Sequence, residues 1–216
     1  MFTHSFRDAV LNTMRATTLT SWTPYLGLFT AVTDLRAGTV TEATYTGYGT
    51  RPSVTFGAPA NTTPTGGRQV ANSALVTLPQ NTGSNQDVIG WGLWTAATAG
   101  TLNIFGFLDA DSPIIGTGAA TGELITAPAH GLATDQRVFV MAAPGAVIPT
   151  GLAENTAYFV LAAGLTADVF ALSTTSGGAA VNITANGAAQ FIPYTAVTIA
   201  ASSTPEFAVA ALLEQL

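Results

Sequence analysis

The hydrophobic pattern at the start of the chain predicts an amphipathic helix. Apolar side chains recur every four residues at Phe2, Phe6, Val10 and Met14. This spacing places them on one helix face. Thr3 stands where its hydroxyl can cap the first turn, and we expect the helix to end near Thr17 and Thr18, where β-branched residues accumulate.

Beyond the helix, short apolar runs are separated by Gly, Pro and Asn, a pattern that predicts strands. The first set of runs covers residues 25–32, 53–56, 74–78, 88–95 and 101–108. Their spacing is typical of a sandwich or barrel. A turn ending at Gly100 lies between the last two runs, so we expect these to form a hairpin.

The run around Trp91 has two different faces. Ile89, Trp91 and Leu93 alternate with Gly90 and Gly92, so the large side chains share one face of the predicted strand and the glycines share the other. We expect the large face to join the core and the glycine face to admit another backbone.

A Gly- and Ala-rich passage at residues 116–122 is typical of a linker. A second set of predicted strands follows at residues 123–127, 137–142, 157–161, 169–174, 180–183 and 190–192. Predicted strands at 196–200 and in the tail at 207–213 complete the chain.

These boundaries predict one β module made of residues 1–114 and 193–216, with a second small β-module inserted at residues 115–192. The predicted fold class is mainly β: an N-terminal helix and a sandwich- or barrel-like core carrying the inserted module. Because insertions leave and re-enter a domain at neighbouring points, we expect Asp111 and Tyr194 to lie close together.

Composition supports the β prediction and excludes several functions. Hydrophobic residues make up 48% of the 216 residues and charged residues only 8%, against about 25% in an average domain. The net charge of −6 argues against nucleic-acid binding. The longest apolar run, residues 207–213, is far shorter than the roughly 20 residues of a membrane span. The sequence contains no Cys and no Lys, which excludes thiolate metal sites and lysine nucleophiles.

Low charge with a mean hydropathy of +0.39 also predicts association, because little repulsion opposes contact between copies. We therefore expect a homo-oligomer. A monomer covered in Thr and Gly is the alternative.

No set of residues predicts catalysis, a metal site or a cofactor. Neither His4 nor His130 has a second His or a carboxylate at ligand spacing, and we interpret His130 as a turn residue whose ring bonds nearby backbone. Asp109, Asp111 and Ser112 are spaced like the start of a calcium loop, but the remaining ligands are missing. We favour a turn at the module junction over a calcium site or a glycosidase carboxylate pair.

Five aromatic residues allow a further interpretation. Trp91, Trp94, Tyr25, Tyr48 and Phe105 could form a sugar-stacking platform. Core packing is the simpler interpretation of the same residues, and it is the one that we favour.

Five short motifs follow one another in the first half of the chain: YLGLFT at residues 25–30, GYGTRPSVTFGAP at 47–59, ANSA at 71–74, GWGLW at 90–94 and GFL at 106–108. In these motifs the chain resembles small virion proteins of tailed bacteriophages, usually labelled tail-fibre or structural proteins. Arg51 falls at the arginine of that family pattern. Pro52 replaces a residue that is usually polar, which predicts an edge strand there.

A second set of motifs comprises HGL at 130–132, a predicted strand at 137–140, GLAENTAYFV at 151–160 and a predicted strand ending FALS at 170–173. With these motifs, residues 117–192 resemble a second β-module, which recurs in phage tail and capsid-decorating proteins.

These resemblances imply a non-enzymatic structural protein on the exterior of a tailed-phage virion, assembled in the bacterial cytoplasm. A capsid decoration or cement protein is the leading interpretation. A tail or baseplate component, such as a fibre-like adhesin that binds a host glycan, is the alternative. The expected partners are further copies of the chain, with a trimer favoured, and other virion proteins such as major capsid or tail proteins. No nucleic acid, membrane, metal or cofactor is expected.

Overall fold

A computed structural model of the chain describes residues 2–13, 21–61, 68–120, 122–143 and 145–215. The predicted fold class is confirmed: the protein is mainly β with one short N-terminal helix and a barrel. Its contacts divide it into two compact units. Unit 1 comprises Met1–Ala31, Arg36–Gly106 and Val197–Leu216, and unit 2 comprises Val32–Leu35 and Phe107–Ala196.

The helix, α1, spans His4–Asn12, and the strands follow in chain order. They are β1 (Tyr25–Asp34), β2 (Thr39–Glu42), β3 (Ala60–Asn61), β4 (Arg68–Ala71), β5 (Val76–Thr77), β6 (Gln86–Val88), β7 (Gly90–Trp94), β8 (Leu102–Phe107), β9 (Asp109–Ala110), β10 (Ile114–Gly118), β11 (Leu124–Thr126), β12 (Arg137–Ala142), β13 (Thr156–Val160), β14 (Val169–Ser173), β15 (Gly187–Thr195), β16 (Val197–Ile199), β17 (Glu206–Phe207) and β18 (Leu213–Gln215).

Helix α1 begins as its sequence predicts. The Thr3 hydroxyl accepts a hydrogen bond from the Phe6 amide at 3.4 Å, which makes Thr3 the N-cap. Thr3 is fully buried, and its amide donates to the Asn103 carbonyl at 2.9 Å. None of the helical residues is buried. The predicted helix end near Thr17 and Thr18 lies outside the described residues.

The largest sheet of unit 1 has the strand order β2-β1-β7-β8. The predicted hairpin is confirmed, since β7 and β8 are neighbours joined through Gly100, whose φ is +77°. The expectation for the glycine face of β7 is confirmed in part. A Cβ added to Gly90 would lie 2.6 Å from the Gly106 carbonyl, but it would also meet the Phe29 ring. One added to Gly92 would meet the side chains of Leu102 and Trp94.

The C-terminal segment of unit 1 runs antiparallel to residues 69–88 in one interrupted ladder. Strand β16 pairs with β6, β17 pairs with β5, and β18 pairs with β4. The strand expected at 196–200 is confirmed as β16. The single strand expected at 207–213 is wrong: a turn that includes Ala211 separates β17 from β18, with the Ala211 amide bonded to Ala208.

A buried asparagine occupies each of the two interruptions in this ladder. Asn81 is fully buried, and its amide nitrogen contacts the Ser84, Ile199 and Ala200 carbonyls at 2.8–3.3 Å. Asn72 is 1% exposed and donates to Ala74 and Ala208. Its side-chain oxygen accepts the Leu212 amide at 2.9 Å. Both side chains therefore satisfy backbone groups where the strands separate.

Unit 2 contains a closed barrel of six antiparallel strands. The order β10-β11-β14-β13-β12-β15 returns to β10 through a further β10–β15 pairing. Large apolar side chains fill the barrel, among them Ile125, Val138, Val140, Tyr158, Phe170 and Phe191. The outside of β12 is also covered within the unit, because Phe107 lies 5.2 Å from Phe139. This explains the unbroken apolar run in β12.

The predicted linker at residues 116–122 is wrong, because it contains most of β10, which closes the barrel. Its glycines are needed for packing. A Cβ on Gly116 would lie 2.7 Å from Ile125 and 3.0 Å from Phe191, and one on Gly118 would lie 2.9 Å from Pro149. Glycine at these two positions therefore leaves room for the side chains of neighbouring residues, which must approach closely when the barrel closes.

The chain enters and leaves unit 2 at paired positions. Asp109 is paired with Thr195, and the Asp111 amide donates to the Pro193 carbonyl at 3.0 Å. The expected proximity of Asp111 and Tyr194 is therefore confirmed. Unit 2 includes residues on both sides of the predicted insertion at 115–192, since its main segment is Phe107–Ala196. That residues 115–192 fold as a separate domain stays a prediction.

Two other predicted strands are absent. Residues 53–56 form only isolated bridges, at Ser53 and Phe56, and residues 180–183 have no strand conformation.

The pairing of Asp109 with Thr195 allows a test of modular folding. We expect a chain in which a Gly-Ser-Gly linker replaces residues 110–194 to keep a cooperative unfolding transition, because no pairing within the sheets of unit 1 involves the deleted strands. Phe107 is changed to Ser in the same variant, since its stacking partner Tyr194 is removed. Thermal unfolding followed by tryptophan fluorescence measures this directly, since Trp22, Trp91 and Trp94 all lie in unit 1. A broad, non-cooperative transition would contradict modular folding.

Candidate functional site

The densest polar cluster of unit 1 surrounds the buried guanidinium of Arg51. Arg51 is 6% exposed, and its Nε and Nη2 donate to the two carboxylate oxygens of Glu42 at 2.5 and 2.6 Å. Its Nη1 donates to the Ala96 and Ala99 carbonyls in the β7–β8 turn at 2.9 and 2.6 Å. The guanidinium carbon lies 4.3 Å from the centre of the Trp94 ring, a cation–π distance.

Tyr48 connects this ion pair to strand β1. Its hydroxyl donates to Glu42 Oε1 at 2.7 Å and accepts the Leu28 amide at 3.0 Å. Burial raises the pKa of Tyr48 far above its usual value, and the hydrogen bond to the Glu42 carboxylate raises it further. The phenol therefore stays protonated and donates at any physiological pH.

Close packing leaves little room around the cluster. A Cβ on Gly27 would lie 2.8 Å from both Trp94 and the Tyr48 hydroxyl. Sequence reasoning singled out Arg51, Tyr48 and Trp94 but missed Glu42. No local motif marks this residue, because only the pairing of β2 with β1 brings it to the cluster.

A shallow groove of about 410 Å³ lies beside this cluster. It is lined by Ala43, Thr44, Tyr45, Gly47, Tyr48 and Gly49. Both tyrosine hydroxyls are already engaged, since that of Tyr45 donates to the Pro79 carbonyl at 2.9 Å. The Arg51 cluster and the groove therefore hold backbone segments together and offer no free charged group to a ligand.

In unit 2, His130 is confirmed as a turn residue whose ring bonds nearby backbone. Its Nδ1 accepts the Leu132 amide at 2.9 Å, so the proton belongs on Nε2, which lies 3.3 Å from the Val169 carbonyl. The ring packs edge-on against Phe170 at 5.0 Å. Gly131 takes the positive φ of +68° that the turn requires.

The carboxylates considered for metal binding lie where unit 2 begins. Asp109, Asp111 and Ser112 are all exposed, and Asp109 belongs to β9. Within the described ranges, no group of three or more His, Asp or Glu side chains could hold a metal ion. The turn predicted here is wrong, because Asp109 and Ala110 form β9 and the Asp111 amide continues the pairing with a hydrogen bond to the Pro193 carbonyl. Its predicted place, where the chain enters unit 2, agrees with the structure.

The five aromatic residues do not form one exposed platform. Trp94 is 5% exposed and Phe105 is 1% exposed, so both belong to the core. Trp91 packs over Gly106, where a Cβ would lie 2.7 Å from its indole nitrogen. Core packing is the interpretation that fits the buried pair.

A family model described as Podophage GP4 fiber I protein gp80 matches residues 2–126, more than half of the chain. The chain belongs to this family. The gp80 match includes every residue of the Arg51 cluster and ends at Thr126, the last residue of β11. Strands β12 to β15, which complete the barrel, lie beyond it. The likeness of residues 117–192 to the HGL-type module stays a prediction.

No curated protein and no solved structure matches this gp80-family chain. Among its described residues, no helix is long and apolar enough to span a membrane. Membership of a phage fibre family makes the chain a virion-associated, fibre-type structural protein.

Removing Arg51 should strongly destabilise unit 1. We expect Arg51→Ala to lower the free energy of unfolding by about 3–5 kcal/mol, because it leaves a partly buried carboxylate unpaired. The double variant Arg51→Ala, Glu42→Gln should lose less, since the unpaired charge is gone. Chemical denaturation followed by tryptophan fluorescence measures both. The matched control is the exposed Arg68→Ala, and an equal loss in Arg51→Ala and this control would contradict a structural role.

The His130 turn gives a second stability test, in unit 2. His130→Ala should cost about 1–3 kcal/mol, because the Leu132 amide loses its acceptor in a buried site. His130→Asn should lose less, since the Asn side-chain oxygen can replace Nδ1. Thermal unfolding followed by circular dichroism compares these variants with His4→Ala, an exposed control that we expect to be neutral. Equal stability of His130→Ala and the His4→Ala control would contradict a structural role for the ring.

Proposed function

We propose that this chain is a non-enzymatic structural component on the exterior of a tailed-phage virion, located in a fibre. The match of residues 2–126 to the fibre family carries this proposal. The structural role of the buried polar side chains supports the proposal. Arg51, Asn72, Asn81 and His130 are all buried, and each bonds backbone groups of its own unit.

Capsid decoration is the second candidate for the position on the particle. The absence of an internal repeat from 216 residues favours it, because extended fibres are commonly built from repeats. The fibre position is favoured because the matching family is one of phage fibre proteins. A glycan-binding role gains no support from the aromatic residues, since Trp94 and Phe105 are buried.

Self-association belongs to the same proposal. The chain is poor in charge, so little electrostatic repulsion opposes contact between copies. Large apolar side chains are more than half exposed in both units, at Leu11, Leu75 and Val209 in unit 1 and at Ile115 and Val147 in unit 2. A trimer is the state that we propose, with other virion proteins as further partners.

Labelling on the particle tests the position. We expect the tagged full-length chain to co-sediment with particles that lack it, and gold particles bound to the tag to lie on the tail fibres in cryo-electron micrographs. An excess of untagged chain should compete away the label. Gold distributed over the capsid would favour decoration instead, and a failure to co-sediment would contradict the virion role.

A further inference from the structure

The two units differ sharply in charge. Unit 1 contains five of the six arginines, which balance five carboxylates, so its formal charge is zero. Its carboxylates are Asp8, Glu42, Asp87, Glu206 and Glu214. Unit 2 contains seven carboxylates and a single arginine, Arg137, and therefore carries the whole net charge of −6.

The carboxylates of unit 2 face solvent. Six of them are exposed: Asp109, Asp111, Glu123, Asp135, Glu154 and Asp168. A contact between two copies through this unit would bring like charges together, which raises the free energy of association. Unit 1 carries no such penalty, so electrostatics favour association through unit 1.

Helix α1 leaves part of the apolar surface of unit 1 uncovered. It has nine residues, none of them buried, although the Phe6 ring packs 5.2 Å from that of Phe2 and 6.3 Å from that of Trp22. A helix of this length depends on packing for its stability. Its first turn is anchored, because the His4 amide donates to the Arg36 carbonyl at 2.7 Å. Farther along, Val10 is 40% and Leu11 59% exposed.

We infer that copies of this chain associate through α1, with Val10 and Leu11 in the contact and unit 2 outside it. This inference rests on the proposed self-association. The charges on the helix suit a second copy as the partner. Arg7 and Asp8 are adjacent and both exposed, so in a closed ring the Arg7 of each copy can face the Asp8 of the next.

The first experiment measures mass by light scattering after gel filtration at micromolar concentration. We expect the wild-type chain to be a multimer, and Val10→Asp with Leu11→Asp to raise the dissociation constant at least roughly tenfold. The matched control is Ile115→Asp with Val147→Asp, two exposed apolar residues of unit 2 that should leave the mass unchanged. Dissociation of the control alone would overturn the inference.

The second experiment keeps the apolar residues of the helix unchanged, so it does not require the helix to remain folded after their replacement. Arg7→Asp gives a helix with two adjacent acids, and Asp8→Arg gives one with two adjacent bases. We expect each variant to dissociate and the double variant Arg7→Asp, Asp8→Arg to form the multimer again. Exchanging the two charges within one chain restores opposite signs at every contact of a ring, whatever its number of copies. A double variant that stays dissociated would overturn the inference.

These outcomes separate the inference from the function on which it rests. A monomeric wild-type chain would overturn both self-association and the α1 contact, while labelling of the particle would still test virion membership. A multimer that withstands the α1 substitutions would overturn only the α1 contact.

Discussion

The pairing of Arg51 with Glu42 is the constraint on which unit 1 depends. A charge taken out of water must be paired and hydrogen-bonded, and the planar guanidinium directs its donors to fixed positions. Here they reach β2 through Glu42 and the β7–β8 turn through two carbonyls, while Tyr48 joins the same carboxylate to β1. The ion pair and Tyr48 together thus fix the relative positions of three segments, β1, β2 and the β7–β8 turn.

Neutral side-chain amides also hold separate segments together elsewhere in unit 1. Asn72 and Asn81 lie at the breaks of the ladder that the C-terminal segment makes with residues 69–88. Each buried amide offers both donors and an acceptor, so it can satisfy backbone groups that lose their strand partners. The C-terminal segment is therefore held in unit 1 mainly by neutral hydrogen-bonding groups. This agrees with the low charged fraction of the whole chain, 8%.

The uneven distribution of charge gives the two units different physical properties. Unit 1 is neutral and contains most of the segment that matches the fibre family, whereas the barrel carries the net charge. A neutral surface can be buried against other subunits at low electrostatic cost, and an acidic surface stays hydrated and repels its own copies. The proposed association through unit 1 is consistent with this difference.

Local periodicity and turn chemistry were sufficient to predict the β class, the Thr3-capped helix, the hairpin at Gly100, strand β12 and the turn role of His130. Three features became visible only in the folded chain: residues 116–118 belong to a barrel strand, side chains fill much of the glycine face of β7, and Glu42 neutralises Arg51. Each of these depends on strands paired across long sequence separations. Pairing of that kind leaves no periodic signal in the sequence. A glycine that makes room for a neighbouring residue therefore cannot be distinguished, from sequence, from a glycine that makes a linker flexible.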